Sequence, residues 1–281
     1  LEQLLTTKLY IPPQRRDLVS RPHLSDRLNE GRNRKLILVS APAGFGKSTL
    51  VSGWLREKAL DAAWLSLDQG DNDPARFWIY LIAALQTIQQ EIGIEALQIA
   101  SAPQLRSTEP VAISLINDIS QLDQELVLVL DDYHVIHESR IQSDLSYLLE
   151  HQPPNFHLVI ITRVDPPFSL ARLRAHGRMV EIRAGELQFS YREAELLFNE
   201  VVRLDLNPEQ VEALNQRAEG WIVSLNLAAL SLKGQPASNE IITRFSGSQH
   251  YILDYLTEEI LDRLAEDQRQ FLLRTSILDR F

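Results

Sequence analysis

The chain has 281 residues, 44% hydrophobic and 23% charged, the balance of a globular protein with length for one large or two modest cored domains. Its 28 Lys and Arg against 38 Asp and Glu leave a net charge of −10, which argues against nonspecific nucleic-acid binding by the body as a whole. With no cysteine it has neither disulfides nor thiolate-held metal, which fits a cytoplasmic protein, and no stretch reaches the ~18 apolar residues of a membrane span.

The start, LEQLLTTK, lacks the basic-then-apolar order of a signal peptide. From Lys8 to Lys35 eight basic residues stand against three acidic ones, so residues 1–35 read as a basic arm. Such an arm suits a triphosphate or a polynucleotide, and equally a solvated face; both readings stay open.

Leu36 to Val39 is an apolar run suited to a strand buried on both faces, and it leads through a loop of small residues into a helix start. The loop, with Gly44, Phe45, Gly46, Lys47, Ser48 and Thr49, fits the phosphate-binding pattern G-x-x-x-x-G-K-[ST] except at its first position. In that pattern backbone N–H groups close around phosphate oxygens, the Lys neutralises phosphate charge and the following hydroxyl ligates Mg²⁺. Ala41 stands where the first Gly belongs, which requires a negative φ there.

Ala62 to Leu67 reads as a second strand, and Asp73 with Pro74 as a helix cap and first turn. Phe77, Trp78, Leu81, Ala84, Leu85 and Ile88 follow at helical spacing as a core stripe. Gly93 to Pro110 is polar and reads as irregular, and Val111 to Leu122 as helical. Leu126 to Leu130 is a third buried strand, ending in Asp131 and Asp132 at the end where open α/β sheets bind ligands. Asp131 is suited to hold Mg²⁺ beside Ser48, and Asp132 to polarise a water as general base. A fourth strand, Leu158 to Ile161, ends before Arg163, which either senses a γ-phosphate or pairs with Asp165. A short strand at Met179 to Ile182 completes a parallel sheet with helices on both faces.

Beyond Gly185 the pattern is helical only. Ser190 with Glu193 forms a capping box, Asn207, Pro208 and Gln210 open a second helix that closes at Gly220, and a third runs from about Trp221 to Lys233. Tyr251 to Leu264 and Gln268 to Leu278 resume helical spacing, and the apolar pattern is unbroken at Phe281, so further sequence is expected beyond it.

The order TKLYIPP, LVSRPHL, LILVSAPAGFGKSTL, WLSLDQGDNDPARFWIYLIAAL, LVLVLDDYH, VIITRVDPP, LARLRAHG, GWIVSLNLAALSL, YLTEEIL and FLLRTSIL resembles the large LuxR-type, maltose-activator-like regulators of the STAND class of signal-transduction ATPases. The resemblance implies an AAA+-related nucleotide-binding domain at 36–185 with sheet order 5-1-4-3-2, a helical domain at 186–247 and the beginning of a winged helix at 248–281. It also implies a switch in which ADP holds a closed monomer and ATP with an inducer gives a self-associating form. By position it implies phosphate and metal roles for Lys47 and Ser48, a metal role for Asp131, water activation by Asp132 and sensing by Arg163. Arg21 would belong to a segment folded over the base, with Leu24 where related proteins place a Glu. Gly220, Trp221 and Ile222 would stand in the base-contacting Gly-x-Pro turn, with Ile222 in place of Pro.

The expectation is therefore an ATP/ADP and Mg²⁺-binding switch of slow turnover that binds no DNA specifically and no membrane. A DNA-remodelling ATPase and a nucleotide-binding scaffold without turnover are the alternatives. The inducer, sensed elsewhere, is not identified by these residues.

Overall fold

A computed structural model of the chain describes residues 4–14, 17–102, 107–233, 257 and 266–275. It divides into two compact units, Leu1–Arg16, Ser20–Pro42 and Gly46–Leu187 in the first, and Asp17–Val19, Ala43–Phe45 and Gln188–Phe281 in the second.

The first unit is built on five parallel strands, β1 (Leu36–Ser40), β2 (Ala62–Ser66), β3 (Leu126–Asp131), β4 (Phe156–Thr162) and β5 (Met179–Arg183), in the order β2-β3-β4-β1-β5. Read from the other edge this is the 5-1-4-3-2 order implied by the resemblance. Every residue of β1, β3 and β4 is buried, as expected of unbroken apolar runs covered on both faces. Leu38 of β1 pairs with Ile160 of β4 and Glu181 of β5. From β1 the chain passes to the β2 edge, whereas from β4 it passes to β5, so the order reverses beside β1, where the phosphate loop emerges.

Helices α1 (Pro22–Glu30), α2 (Lys47–Glu57), α3 (Pro74–Gln86), α4 (Ile94–Ala100), α5 (Glu109–Ser120), α6 (Ser139–His151), α7 (Leu170–Ala175) and α8 (Ala184–Leu187) complete the unit. Asp73 caps α3 by accepting from the Arg76 N–H at 2.8 Å, and Phe77, Trp78, Leu81, Ala84 and Leu85 are buried. Helix α4 corrects the irregular reading of residues 93–110. Gly93, at φ +72, starts it and donates its N–H to Asp118 at 2.9 Å, while Ala96 and Ala100, four residues apart, bury one small face. A two-turn helix whose buried face is alanine carries little periodic signal.

Several basic residues of the arm have partners within the first unit. Lys8 is buried and ion-paired with Asp71 and, at 3.0 Å, Asp68, with its ammonium 4.4 Å from the Tyr80 ring centroid. Arg32 pairs with Glu125, and Arg34 donates to the Gly177 carbonyl at 2.7 Å.

In the second unit, α9 (Tyr191–Glu195) opens on the Ser190–Glu193 capping box and continues into a π turn at Leu196–Val201. Helix α10 (Pro208–Ala218) opens on the reciprocal cap of Asn207 and Gln210, and α11 (Ile222–Leu232) follows. Between them Gly220 has φ +67 and accepts at its carbonyl from the Phe189 N–H at 2.8 Å. A Cβ there would lie 2.8 Å from the Phe189 carbonyl oxygen, so only glycine fits. Leu197, Phe198, Val211, Leu214, Leu225 and Ala228 form the centre of this unit's core. Helix α12 (Glu266–Thr275) falls within the expected 268–278 region apart from its first two residues, whereas the expected helix at 251–264, except residue 257, and the rest of the winged-helix start lie outside the described residues. Among the described residues no helix is long and apolar enough to cross a membrane.

Candidate nucleotide site

The loop after β1 has the conformation its sequence requires. Ala41 is buried, is not among the residues with positive φ, and donates its N–H to the Thr162 carbonyl at 3.3 Å, so it extends the β1–β4 ladder. Gly44 and Gly46 have φ +76 and +74, which their lack of Cβ permits. Gly46 is also the N-cap of α2 and supplies no side-chain partner to that helix's first N–H groups, a terminus suited to phosphate oxygens.

Lys47, the first residue of α2, is buried and donates to the Pro42 carbonyl at 2.8 Å. Burial, then the charge of Arg163, push its pKa down to about 8, while Asp132 and Asp131 work the other way. Lys47, Arg163, Asp131 and Asp132 are thus within electrostatic range of one another. Ser48 donates its hydroxyl to Asp131 Oδ1 at 2.9 Å, joining α2 to the end of β3. Asp131 is buried, and desolvation followed by the adjacent Asp132 raise its carboxyl to about 6. Asp132 points elsewhere, its side chain 52% exposed and its Oδ1 3.8 Å from His134 Nδ1. At φ +57 its backbone occupies a region that costs a non-glycine residue free energy and clusters at functional sites.

The remaining expected residues have other surroundings. Arg163 follows β4; the Asp165 offered as its partner instead takes both guanidinium nitrogens of Arg183, one at 3.1 Å, and lies 3.7 Å from Arg174. Arg21, the N-cap of α1, donates to the carbonyls of Leu187 at 2.9 Å and Glu186 at 3.3 Å. Leu24, where related proteins place a Glu, is a buried residue of α1. Thr49 is exposed and Phe45 half-buried. Ile222 begins α11 and packs against the second unit's core. Trp221, which the resemblance sets in the base-contacting turn, donates its indole N–H to the Ala43 carbonyl at 3.1 Å within the second unit, a contact sequence reasoning did not foresee.

Among the described residues no group of three or more His, Asp or Glu is arranged to hold a metal. What fits Mg²⁺ is the Ser48 hydroxyl with the Asp131 carboxylate, since this ion takes one or two protein oxygens and completes its shell from phosphates and water. A cation there would also relieve the burial of Asp131 beside Asp132. The self-bonded Lys47, the glycine-shaped loop and the N-terminus of α2 fit a phosphate chain.

Comparison with known proteins agrees with this geometry. No family model matches the chain. The HTH-type transcriptional regulator MalT of Yersinia enterocolitica is 34% identical over 278 residues, 98% of this chain and 31% of that protein. The serine/threonine-protein kinase PknK of Mycobacterium tuberculosis is 33% identical over 266 residues, 94% of this chain and 24% of that protein. In fold, a signal transduction ATPase with numerous domains (STAND) with a tetratricopeptide repeat sensor, from Pyrococcus horikoshii, matches 95% of this chain and 36% of that one with a TM-score of 0.61 at 18% identity. The chain has the fold of a STAND P-loop ATPase. It is homologous to MalT-type regulators over nearly its whole length, and it spans under a third of the length of those curated relatives.

Proposed function

We propose that this STAND unit is a purine-nucleotide switch that binds ATP or ADP with Mg²⁺, hydrolyses ATP slowly, and serves an inducer-responsive, cytoplasmic transcription regulator. The carrying observation is the meeting of Lys47, Ser48, Asp131 and Asp132 around a loop held open by two positive-φ glycines. Lys47 and the α2 N-terminus bind phosphate, and Ser48 and Asp131 hold the ion. When bound, Mg²⁺ neutralises charge on the transferring phosphate. Asp132, exposed and turned from Asp131, accepts the proton of the attacking water, and Arg163 contacts the γ-phosphate. Proteins named as a transcriptional regulator and as a kinase both contain a stretch related to this one, which supports a module whose output is set by what it is joined to.

On this reading the unit is monomeric with ADP, self-associates with ATP, and binds no DNA specifically. Single-turnover hydrolysis, light scattering with each nucleotide and a DNA titration at physiological salt test it. The reading expects turnover far below the ~1 per second of working enzymes; faster turnover would favour a mechanical ATPase.

A further inference from the structure

A second cleft lies on the first unit between α6 and α7. Lys35 and Arg178, which line it, stand just before β1 and β5, at the strand ends opposite those carrying the phosphate loop and Asp131. It encloses about 100 Å³ and opens to solvent at its mouth, room to seat part of a small ligand. Leu149, Phe168 and Leu173 make an apolar wall, and Phe168 is fixed by its ring contact with Tyr133 at 5.7 Å.

The charges around that wall are unbalanced. Glu150 is the acidic residue of the lining, and Arg172 already holds it at 2.9 Å. Lys35 spends two of its three donors on the Leu149 and Glu150 carbonyls, both at 2.9 Å, and keeps one. Among the described residues Arg178 makes no side-chain hydrogen bond or ion pair. Its charge nevertheless reaches Lys35, whose pKa is lowered by burial first and by Arg178 second, while Glu150 acts the other way. Two neighbouring cations beside an apolar wall repel each other until an anion lies between them.

We propose that this cleft is a second binding site, for a small anion with an apolar body: a carboxylate, sulfonate or phosphate set between Lys35 and Arg178, with its hydrocarbon on Phe168 and Leu173. The anion supplies the missing counter-charge and the apolar body gains burial, so neither half alone binds as well.

Calorimetric titration with 1-naphthoate, 1-naphthol and inorganic phosphate separates the two contributions. Naphthoate should bind at least about tenfold more tightly than either of the others, as one charge-assisted hydrogen bond allows. Arg178→Gln should weaken naphthoate by about tenfold and raise the melting temperature of the ligand-free chain, because an exposed like charge is removed; Arg178→Lys should restore most of the affinity. In Lys47→Ala the naphthoate affinity should stay as in the wild type. Equal affinity for naphthoate and naphthol, or a naphthoate affinity unchanged in Arg178→Gln, would overturn the site. Loss of naphthoate binding in Lys47→Ala would assign it to the phosphate loop and overturn it equally.

Discussion

The two ends of the strands in the first unit treat polar groups differently. At the N-terminal ends, side chains mostly close off backbone. Asn155 donates to the Ile119 and Leu122 carbonyls at 2.9 Å each, Gln152 to the Lys35 carbonyl at 3.1 Å and to that of Phe156, and Lys35 to the end of α6. At the C-terminal ends, charged groups are crowded and incompletely matched. Asp131 is buried beside Asp132, Lys47 falls back on a loop carbonyl, and Asp132 sits at positive φ. A chain selected for stability alone would not keep that arrangement, which marks the C-terminal ends as the place where a nucleotide completes the structure, while at the opposite end the unmatched charge is that of Lys35 and Arg178 in the cleft between α6 and α7.

Substitutions at the two ends should therefore separate binding from stability. The largest effect is expected from Lys47→Ala, which removes the one ammonium of the loop. Its ATP affinity should fall by about 3 to 5 kcal/mol, by analogy with breaking a buried charge pair, while the melting transition stays cooperative. Calorimetry and a thermal melt measure both.

Next comes Asp131→Asn. The folded chain holds this carboxyl at about 6 rather than its ordinary 3.8, so between those values it binds more protons folded than unfolded. Stability from this group consequently falls as pH rises through that window and stays low above it. At about 1.36 kcal/mol per pH unit the burden is about 3 kcal/mol at most. In metal-free buffer Asp131→Asn should be more stable than the wild type at about pH 7.5 and little different at about pH 4, as denaturant titrations will record, and should lose Mg²⁺-dependent nucleotide affinity.

Asp132→Asn should bind nucleotide normally and hydrolyse it about 10²-fold more slowly, since an Asn tolerates the same left-handed backbone but accepts no proton. If it matched Asp131→Asn in both assays, the two residues would share one metal role. At the other end of the sheet, Asn155→Ala should lower stability by about 1 to 2 kcal/mol in a urea titration with no change in ATP affinity.

Much of the C-terminal end was legible in the sequence. Unbroken apolar runs gave β1, β3 and β4 because both faces are covered, and parallel pairing then fixed their shared C-terminal edge. Asp131 and Asp132 followed from that edge, and Ala41 met its stated condition of a φ that is not positive. Less legible were features that depend on who meets whom across the chain. A basic count cannot reveal that Lys8 finds Asp71 some sixty residues away, that Arg21 caps the carbonyls of α8, or that Trp221 reaches the Ala43 carbonyl. Helix α4 escaped for a different reason, since its buried residues are two alanines with no amphipathic stripe.

The central claim, that the loop end is a nucleotide site completed by Mg²⁺, is tested most directly by calorimetric titration of the wild-type chain with ATP, with Mg²⁺ and then with chelator. One nucleotide per chain, bound more tightly with Mg²⁺ and displaced by ADP, is the result expected from the Lys47, Ser48 and Asp131 arrangement. No saturable binding at millimolar ATP, where affinities of about −4 kcal/mol would still register, would contradict it.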